Sequence, residues 1–348
     1  MAGTKNRPPA KQINLALQGG GAHGAFTWGV LERLMGDRRL RIAGLSGTSA
    51  GAMNATVMAD GFIKGRRDGA ISAIREFWRR VASAGRMGTM ATNAWKGILG
   101  LADDGWNLDA TPIFALFEMT TRMFSPYQLN PHDLNPLRDI IEDLIDFETL
   151  RSHDELKLFV TATNVKSGKP RVFRTQELTA DVLMASACLP LLFKAIEIDG
   201  EYYWDGGYMG NPSIYPLVRE CGSQDVVIIQ ISPLRRTDVP TNSRDILNRV
   251  TELSFNSSLV REMRGFATIT HLLEAGHLTG EIYTPVNFHM IDGSAVLPQL
   301  GVSSKYNTDL KFLEYLHGLG YKIADDWLAE NFEKIGVTSS MDVFETFM

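Results

Sequence analysis

A serine acts as a nucleophile when one feature bares its hydroxyl and another takes its proton. The pentapeptide Gly47-Thr48-Ser49-Ala50-Gly51 meets the first need. It follows the apolar stretch Ile42 to Leu45 and precedes the small-residue segment Ala52 to Ala59, a strand-turn-helix context. The glycines Gly47 and Gly51 let the chain turn sharply and push the Ser49 hydroxyl outward. A helix starting just beyond favours developing negative charge. Because many serines simply cap helices, the pattern needs support from elsewhere in the chain.

Upstream, Ile13-Asn14-Leu15-Ala16-Leu17 reads as a strand and runs into Gln18-Gly19-Gly20-Gly21-Ala22-His23-Gly24. Phe26, Val30, Leu31 and Leu34 then recur at helix spacing, with Gly36 as the stop. A glycine-rich loop between strand and helix turns several backbone N–H groups toward one point, which suits a phosphate or an oxyanion. Gly19, Gly21 and Gly24 also satisfy the Gly-x-Gly-x-x-Gly spacing of dinucleotide sites. That reading wants an acidic residue at the end of the second strand to hold the ribose. Here the second strand, Ile42 to Leu45, ends in Ser46-Gly47-Thr48-Ser49, so nucleotide binding is the minor alternative.

A proton acceptor comes from Ile196 to Gly207, which reads as two short strands joined by an Asp199-Gly200 turn and closed by Asp205-Gly206-Gly207. Taken alone, Asp205 is as good a turn aspartate as a base. The seven histidines, His23, His132, His153, His271, His277, His289 and His317, leave a Ser-His-Asp triad open, although none lies in a motif that points toward Ser49.

Together and in this order, Gly19 to Gly24, Gly47 to Gly51 and Asp205-Gly206-Gly207 resemble the patatin-like phospholipase family. The likeness runs over roughly residues 13 to 217 and includes the lead-in Ala185-Ser186-Ala187-Cys188-Leu189-Pro190-Leu191-Leu192-Phe193. It implies Ser49 as nucleophile, Asp205 as its partner in a Ser-Asp dyad, and the amides of Gly19, Gly20 and Gly21 as the oxyanion hole. His23, Gly24, Gly47, Gly51, Gly206 and Gly207 support these motifs, and His23 departs from the Arg or Lys usual in the family. An ordinary aspartate is a poor base for a hydroxyl, so the dyad requires burial, with Tyr203 and Trp204 as the expected apolar wall.

The implied fold is α/β: a three-layer arrangement with a central, largely parallel sheet, helices on both faces and a helical C-terminal extension. The implied activity is hydrolysis of lipid carboxylic esters through an acyl-Ser49 intermediate, with no cofactor and no metal. An acyltransferase on the same dyad and a noncatalytic lipid-binding protein are the alternatives from other classes. Expected partners are a lipid or ester substrate and, peripherally, a membrane surface. A net charge of -5 with scattered Lys and Arg gives no basic stripe for nucleic acid.

The division expected is a tail over residues 1–12, a catalytic domain over 13–220 and the final strands with the helical extension over 221–348. An insertion at about 80–130 carries Met87, Met90, Trp95, Ile98, Leu99, Phe114, Phe117, Met119, Met123 and Phe124, suited to core packing or to a lid or acyl groove over 86–124. Asn135-Pro136 and Thr111-Pro112 are helix starts, and Leu137, Ile140, Ile141 and Leu144 form a core stripe. Val226 to Ile231 and Asn287 to Ile291 read as strands. Ile246, Val250, Leu253 and Leu259 keep helical spacing, and Thr308 to Phe332 is an amphipathic helix expected to cover the sheet, with homodimerisation or lipid contact as its other uses. Cys188 and Cys221 read as packing residues. With no signal-peptide core and no apolar run of membrane-spanning length, cytoplasmic residence is expected, signal-less secretion being equally compatible.

Overall fold

The computed structural model describes residues 9–99, 106, 116, 119–121, 123–279, 285–294, 296, 297 and 300–348. Its strands are β1 (Lys11–Leu17), β2 (Leu40–Gly47), β3 (Lys157–Asn164), β4 (Pro170–Arg174), β5 (Ile196–Ile198), β6 (Glu201–Asp205), β7 (Asp225–Gln230) and β8 (Asn287–Asp292). They join into one sheet in the order β5-β6-β3-β2-β1-β7-β8, with β4 pairing with β3 outside that path. From β3 through β2, β1 and β7 to β8 the neighbours are parallel; β4, β5 and β6 add antiparallel pairs at one side.

A parallel sheet is apolar on both faces, because crossover helices cover both. In β1 the odd residues Ile13, Leu15 and Leu17 join one core cluster and Ala16 the other; in β7, Val227 and Ile229 separate from Val226 and Ile228 in the same way. The first face is covered by α1 (Gly24–Gly36) and α2 (Ala50–Leu99); after the short helix α3 (Pro126–Leu129), the helices α4 (Pro136–Leu144), α5 (Phe147–Arg151) and α6 (Ala180–Ser186) pack beside them. On the second face lie α7 (Tyr215–Glu220) and α8 (Ser243–Glu274). The chain ends in α9 (Leu310–Asn331), which returns to the first face, and α10 (Val343–Phe347) on the second.

The helix start at Asn135-Pro136 is realised: the Asn135 side chain accepts from the Leu137 N–H, and Ile140 and Ile141 are buried. Asp199 and Gly200 take positive φ in the turn between β5 and β6. The amphipathic C-terminal helix covers the core as expected. It lies so close to α1 that a Cβ on Gly29 would sit 1.9 Å from the His317 carbonyl oxygen and one on Gly320 would sit 2.0 Å from that of Phe26.

The helical spacing of Ile246, Val250, Leu253 and Leu259 is met by α8, but these residues do not share one face toward the core. Ile246, Val250 and Leu253 are exposed, while Glu252, Asn256, Leu259 and Met263 face inward. Aliphatic spacing marks a face of a helix, but here polar residues with buried partners occupy the inner one. The expected lid or groove falls mostly outside the described side chains, as does the helix start at Thr111-Pro112; Met119, Met123 and Phe124 are exposed. No helix among the described residues is long and apolar enough to cross a membrane.

Candidate functional site

Sheet register sets the site. Leu17 pairs with Gly47 and Gly47 with Val160, so the loops after β1 and β2 leave the sheet at one level, its carboxyl edge. Asp205, on antiparallel β6, pairs with Ala162, two residues beyond Val160. Ser49 lies two residues beyond Gly47, which brings the serine and the aspartate to the same height.

Ser49 takes φ 54°, a left-handed conformation that costs a side-chain-bearing residue energy and aims its Oγ outward. It is the one residue between Ile42 and Gly61 that is not fully buried. The turn is tight enough that a Cβ on Gly51 would lie 2.3 Å from the Leu17 carbonyl oxygen. The Ser49 N–H donates to Ser186 Oγ at 2.9 Å, and that hydroxyl donates to the Thr161 carbonyl at 2.7 Å. Ser186 lies within the lead-in Ala185 to Phe193 and belongs to none of the three motifs. The signal was a polar residue in a buried run, which must find a partner. Ser186→Ala removes the anchor of the turn without touching the reacting atoms. We expect kcat to fall about tenfold to a hundredfold with KM little changed, measured on a soluble ester, and a variant indistinguishable from wild type would remove Ser186 from the site.

Asp205 is 1% exposed. Its carboxylate accepts the Gly207 N–H at 2.7 Å, and the Ser49 side chain lies beside it. Burial pushes its pKa up to about 7, against the opposing pull of the Gly207 N–H and of Ser49. The turn reading of this residue is met, since its side chain caps the turn Gly206–Tyr208. The source of the burial differs from expectation. Strand alternation turns Trp204 to the opposite face, and Tyr203 packs edge-on against Phe173. The groups around the carboxylate are Cys188, whose thiol burial and then the nearby carboxylate push up to about 12, Tyr208, and the α8 ring of Phe255, which tilts against Tyr208 with ring centroids 5.0 Å apart.

Of the three amides expected to form an oxyanion hole, one is already taken. The Gly19 N–H donates to Asn211 Oδ1 at 2.7 Å and is buried, so it fixes the loop instead of facing the mouth. Gly20 and Gly21 are more exposed, and among the described residues their amides have no acceptor. The loop is also tied at its root: Gln18 accepts the Ile231 and Ser232 N–H groups and donates to Asn256. Asn211 was missed in the sequence; its cue was a polar residue before Pro212 shortly after Asp205-Gly206-Gly207.

His23 is 2% exposed and bonded through Nε2 to Ser304 Oγ at 2.7 Å. Since that hydroxyl donates to the Gly301 carbonyl, the imidazole is the donor. Burial and nearby Lys305 lower its pKa to about 3, so it is neutral and packs the loop instead of supplying charge. The other histidines do not approach Ser49: His289 pairs with Asp225, His317 with Glu32 and His153 with Glu155, while His132, His271 and His277 are exposed. Gly24 packs on Ala50 and Trp78, Gly206 on the Thr161 carbonyl and Gly207 on Phe255. Among the described residues no cluster of His, Cys, Asp and Glu could hold a metal ion.

VipD from Legionella pneumophila is 16% identical to this chain, over 93% of it and 67% of VipD, with a TM-score of 0.38. ExoU, in the ExoU-SpcU complex of the Pseudomonas aeruginosa type III secretion system, is 19% identical over 74% of the chain, with a TM-score of 0.28. The chain spans about half the length of that ExoU, 52%. No curated protein matches the chain. The sequence profile of patatin-like phospholipases matches residues 15–218, a span that holds the glycine loop, Ser49 and Asp205. The chain therefore belongs to the patatin-like phospholipase family.

Proposed function

We propose that this chain is a serine acyl hydrolase that cleaves carboxylic esters of lipids through a Ser49-Asp205 dyad. The observation that carries the reading is the Ser49 side chain beside a buried carboxylate whose pKa is raised to about 7. A base of that strength is half-ionised near neutral pH, where general-base catalysis is most efficient. Ser49 Oγ attacks the ester carbonyl while Asp205 takes the hydroxyl proton, and the negative charge on the carbonyl oxygen falls on the Gly20 and Gly21 amides. As the tetrahedral intermediate collapses, Asp205 returns the proton to the leaving alcohol. Water, deprotonated by Asp205, then releases the acid and restores Ser49.

The test is intact-protein mass after treatment with a fluorophosphonate. Wild type should gain one adduct, and Ser49→Ala should gain none while keeping its circular dichroism spectrum. Absence of an adduct on folded wild type, with and without detergent micelles, would reject the reading in favour of a noncatalytic lipid-binding role. Adduct formation with product appearing only when an acceptor alcohol is added would replace hydrolysis by acyl transfer.

A further inference from the structure

At the amino edge of the sheet, opposite the edge that carries the dyad, two cavities adjoin beside the start of β2. The more enclosed one, about 250 Å³, has an apolar lining that includes Leu34, Met35, Ile42, Met58, Phe62 and Leu156. The more open one, about 620 Å³, adds Arg38, Arg66, Asp68 and Ile71. They share Met35, Phe62, Arg67 and Glu155, so an apolar space lies behind a charged mouth. Small-ligand pockets occupy roughly 300–1,000 Å³, and the two cavities together fall in that range.

Two neighbouring arginines build the mouth. Arg67 donates to the backbone carbonyls of Met35, Asp37 and Leu40, which fixes the chain between α1 and β2 as one wall. Arg66 spans the opening: its guanidinium lies over the Phe62 ring, 5.5 Å from the centroid, and pairs with Glu155 at 2.5 Å. It stands at a break in α2, where Gly65 and Arg66 leave helical geometry and Arg66 takes φ 54° and ψ -141°. A bulky side chain in left-handed backbone persists where its surroundings hold it. Here the holding partners, Phe62 and Glu155, are residues common to both cavities.

Four arginines, Arg38, Arg41, Arg66 and Arg67, line the cavities against two acids, Asp68 and Glu155. Glu155 is paired with Arg66 and also draws Arg41 through space, while Asp37 draws Arg67 from the side. Among the described residues the Arg38 and Arg41 side chains have no hydrogen bond and no ion pair. Positive charge is therefore in surplus at the mouth. A small apolar cavity behind such a mouth fits one alkyl chain that ends in one anionic group, and the planar fork of a guanidinium matches the two oxygens of a carboxylate.

We infer that this edge of the sheet is a second binding site, for a fatty acid, with its carboxylate on Arg66 and Arg38 and its alkyl chain among Met35, Met58 and Phe62. Binding exchanges the Glu155 partner of Arg66 for the carboxylate of the ligand and makes no covalent bond. The site goes beyond the dyad chemistry and does not depend on it.

The probe is dodecanoic acid carrying a diazirine at the end of its chain, irradiated with the full chain below its micellar concentration and mapped by peptide mass. Label should fall on the peptides that hold Met35 and Met58 to Phe62. Excess dodecanoate should suppress that label, and dodecan-1-ol at the same concentration, the same chain without a charge, should not. Arg38→Met and Arg66→Met, at exposed positions far from Ser49, should each weaken dodecanoate binding about tenfold to a hundredfold, as the loss of a hydrogen bond to a charged group does, with circular dichroism unchanged. Label confined to the loops around Ser49 overturns the site, and so does equal suppression by acid and alcohol, or binding that neither substitution weakens. Ser49→Ala should take the label at the amino edge as wild type does. A wild type that forms no fluorophosphonate adduct yet takes this label would lose the hydrolase reading and keep the fatty-acid site.

Discussion

Asp205→Asn should lower kcat/KM about 10²-fold to 10⁴-fold, the range a general base contributes, and at the same time make the protein more stable at alkaline pH. The loss of activity follows from hydrogen-bond direction. In wild type the carboxylate accepts from the Gly207 N–H and faces the Ser49 side chain, whose proton it is placed to take. An asparagine can keep the first bond through its oxygen, but its NH₂ then faces Ser49, so the hydroxyl becomes an acceptor with no base for its proton.

The gain in stability follows from linkage. A carboxyl group whose folded pKa is raised from 3.8 to about 7 binds its proton more tightly in the native state. Its contribution favours the fold at low pH and is lost as pH rises through that window, because the unfolded chain ionises first. At about 1.36 kcal/mol per unit the shift corresponds to about 4 kcal/mol at pH 8. A neutral amide removes most of that cost, so the thermal midpoint of Asp205→Asn should exceed that of wild type by several degrees at pH 8 and match it near pH 4. The kcat/KM of wild type should climb to a plateau above about pH 7. An Asp205→Asn protein that is fully active, or one no more stable than wild type at pH 8, would take the dyad away from this residue.

The parts of this molecule legible in its sequence are those fixed by local chemistry. Glycines around Ser49 announced a sharp turn because few other residues fit one, and the strand runs Ile13 to Leu17 and Val226 to Ile231 announced buried strands through their apolar continuity. Asp199-Gly200 named its own turn. Features that depend on who faces whom were not legible. A glycine loop offers three amides in sequence, but only the fold reveals that Asn211 takes the Gly19 N–H. A histidine in place of the family's usual cation leaves packing within the loop and contact to substrate both open in the sequence; its burial and its bond to Ser304 show that it packs the loop and is neutral. On α8 the spacing of Ile246, Val250 and Leu253 reveals a helix but not its inner face, which is set by Glu252, Asn256 and their partners Arg236, Arg249 and Gln18. Lys305 and Ser186 lie far in sequence from the residues they support, and no spacing rule connects them.

Gly21→Ala isolates the oxyanion loop from the dyad. Gly21 takes φ +59°, and a Cβ there would meet the backbone oxygen of Lys305 at 2.5 Å. Left-handed backbone alone costs alanine roughly 1–2 kcal/mol. The contact with a main-chain oxygen admits no rotamer escape, so either the loop or the turn at Val302–Tyr306 must shift. Because donors must sit where the oxyanion forms, a small displacement should forfeit about 2.7–4 kcal/mol of transition-state stabilisation, or 10²-fold to 10³-fold in kcat. Phosphonylation of Ser49 passes through an oxyanion in the same place, so labelling by a fluorophosphonate should slow by a similar factor. Gly36→Ala is the matching control, since a Cβ at that end of α1 meets nothing within 4 Å, and its activity should stay within about twofold of wild type. Slow turnover with unchanged labelling in Gly21→Ala would mean that the loop serves a later step, deacylation or product release. Unchanged rates in both would mean that the charge is held elsewhere, with the amide of Ala50, at the start of α2, the next donor to examine.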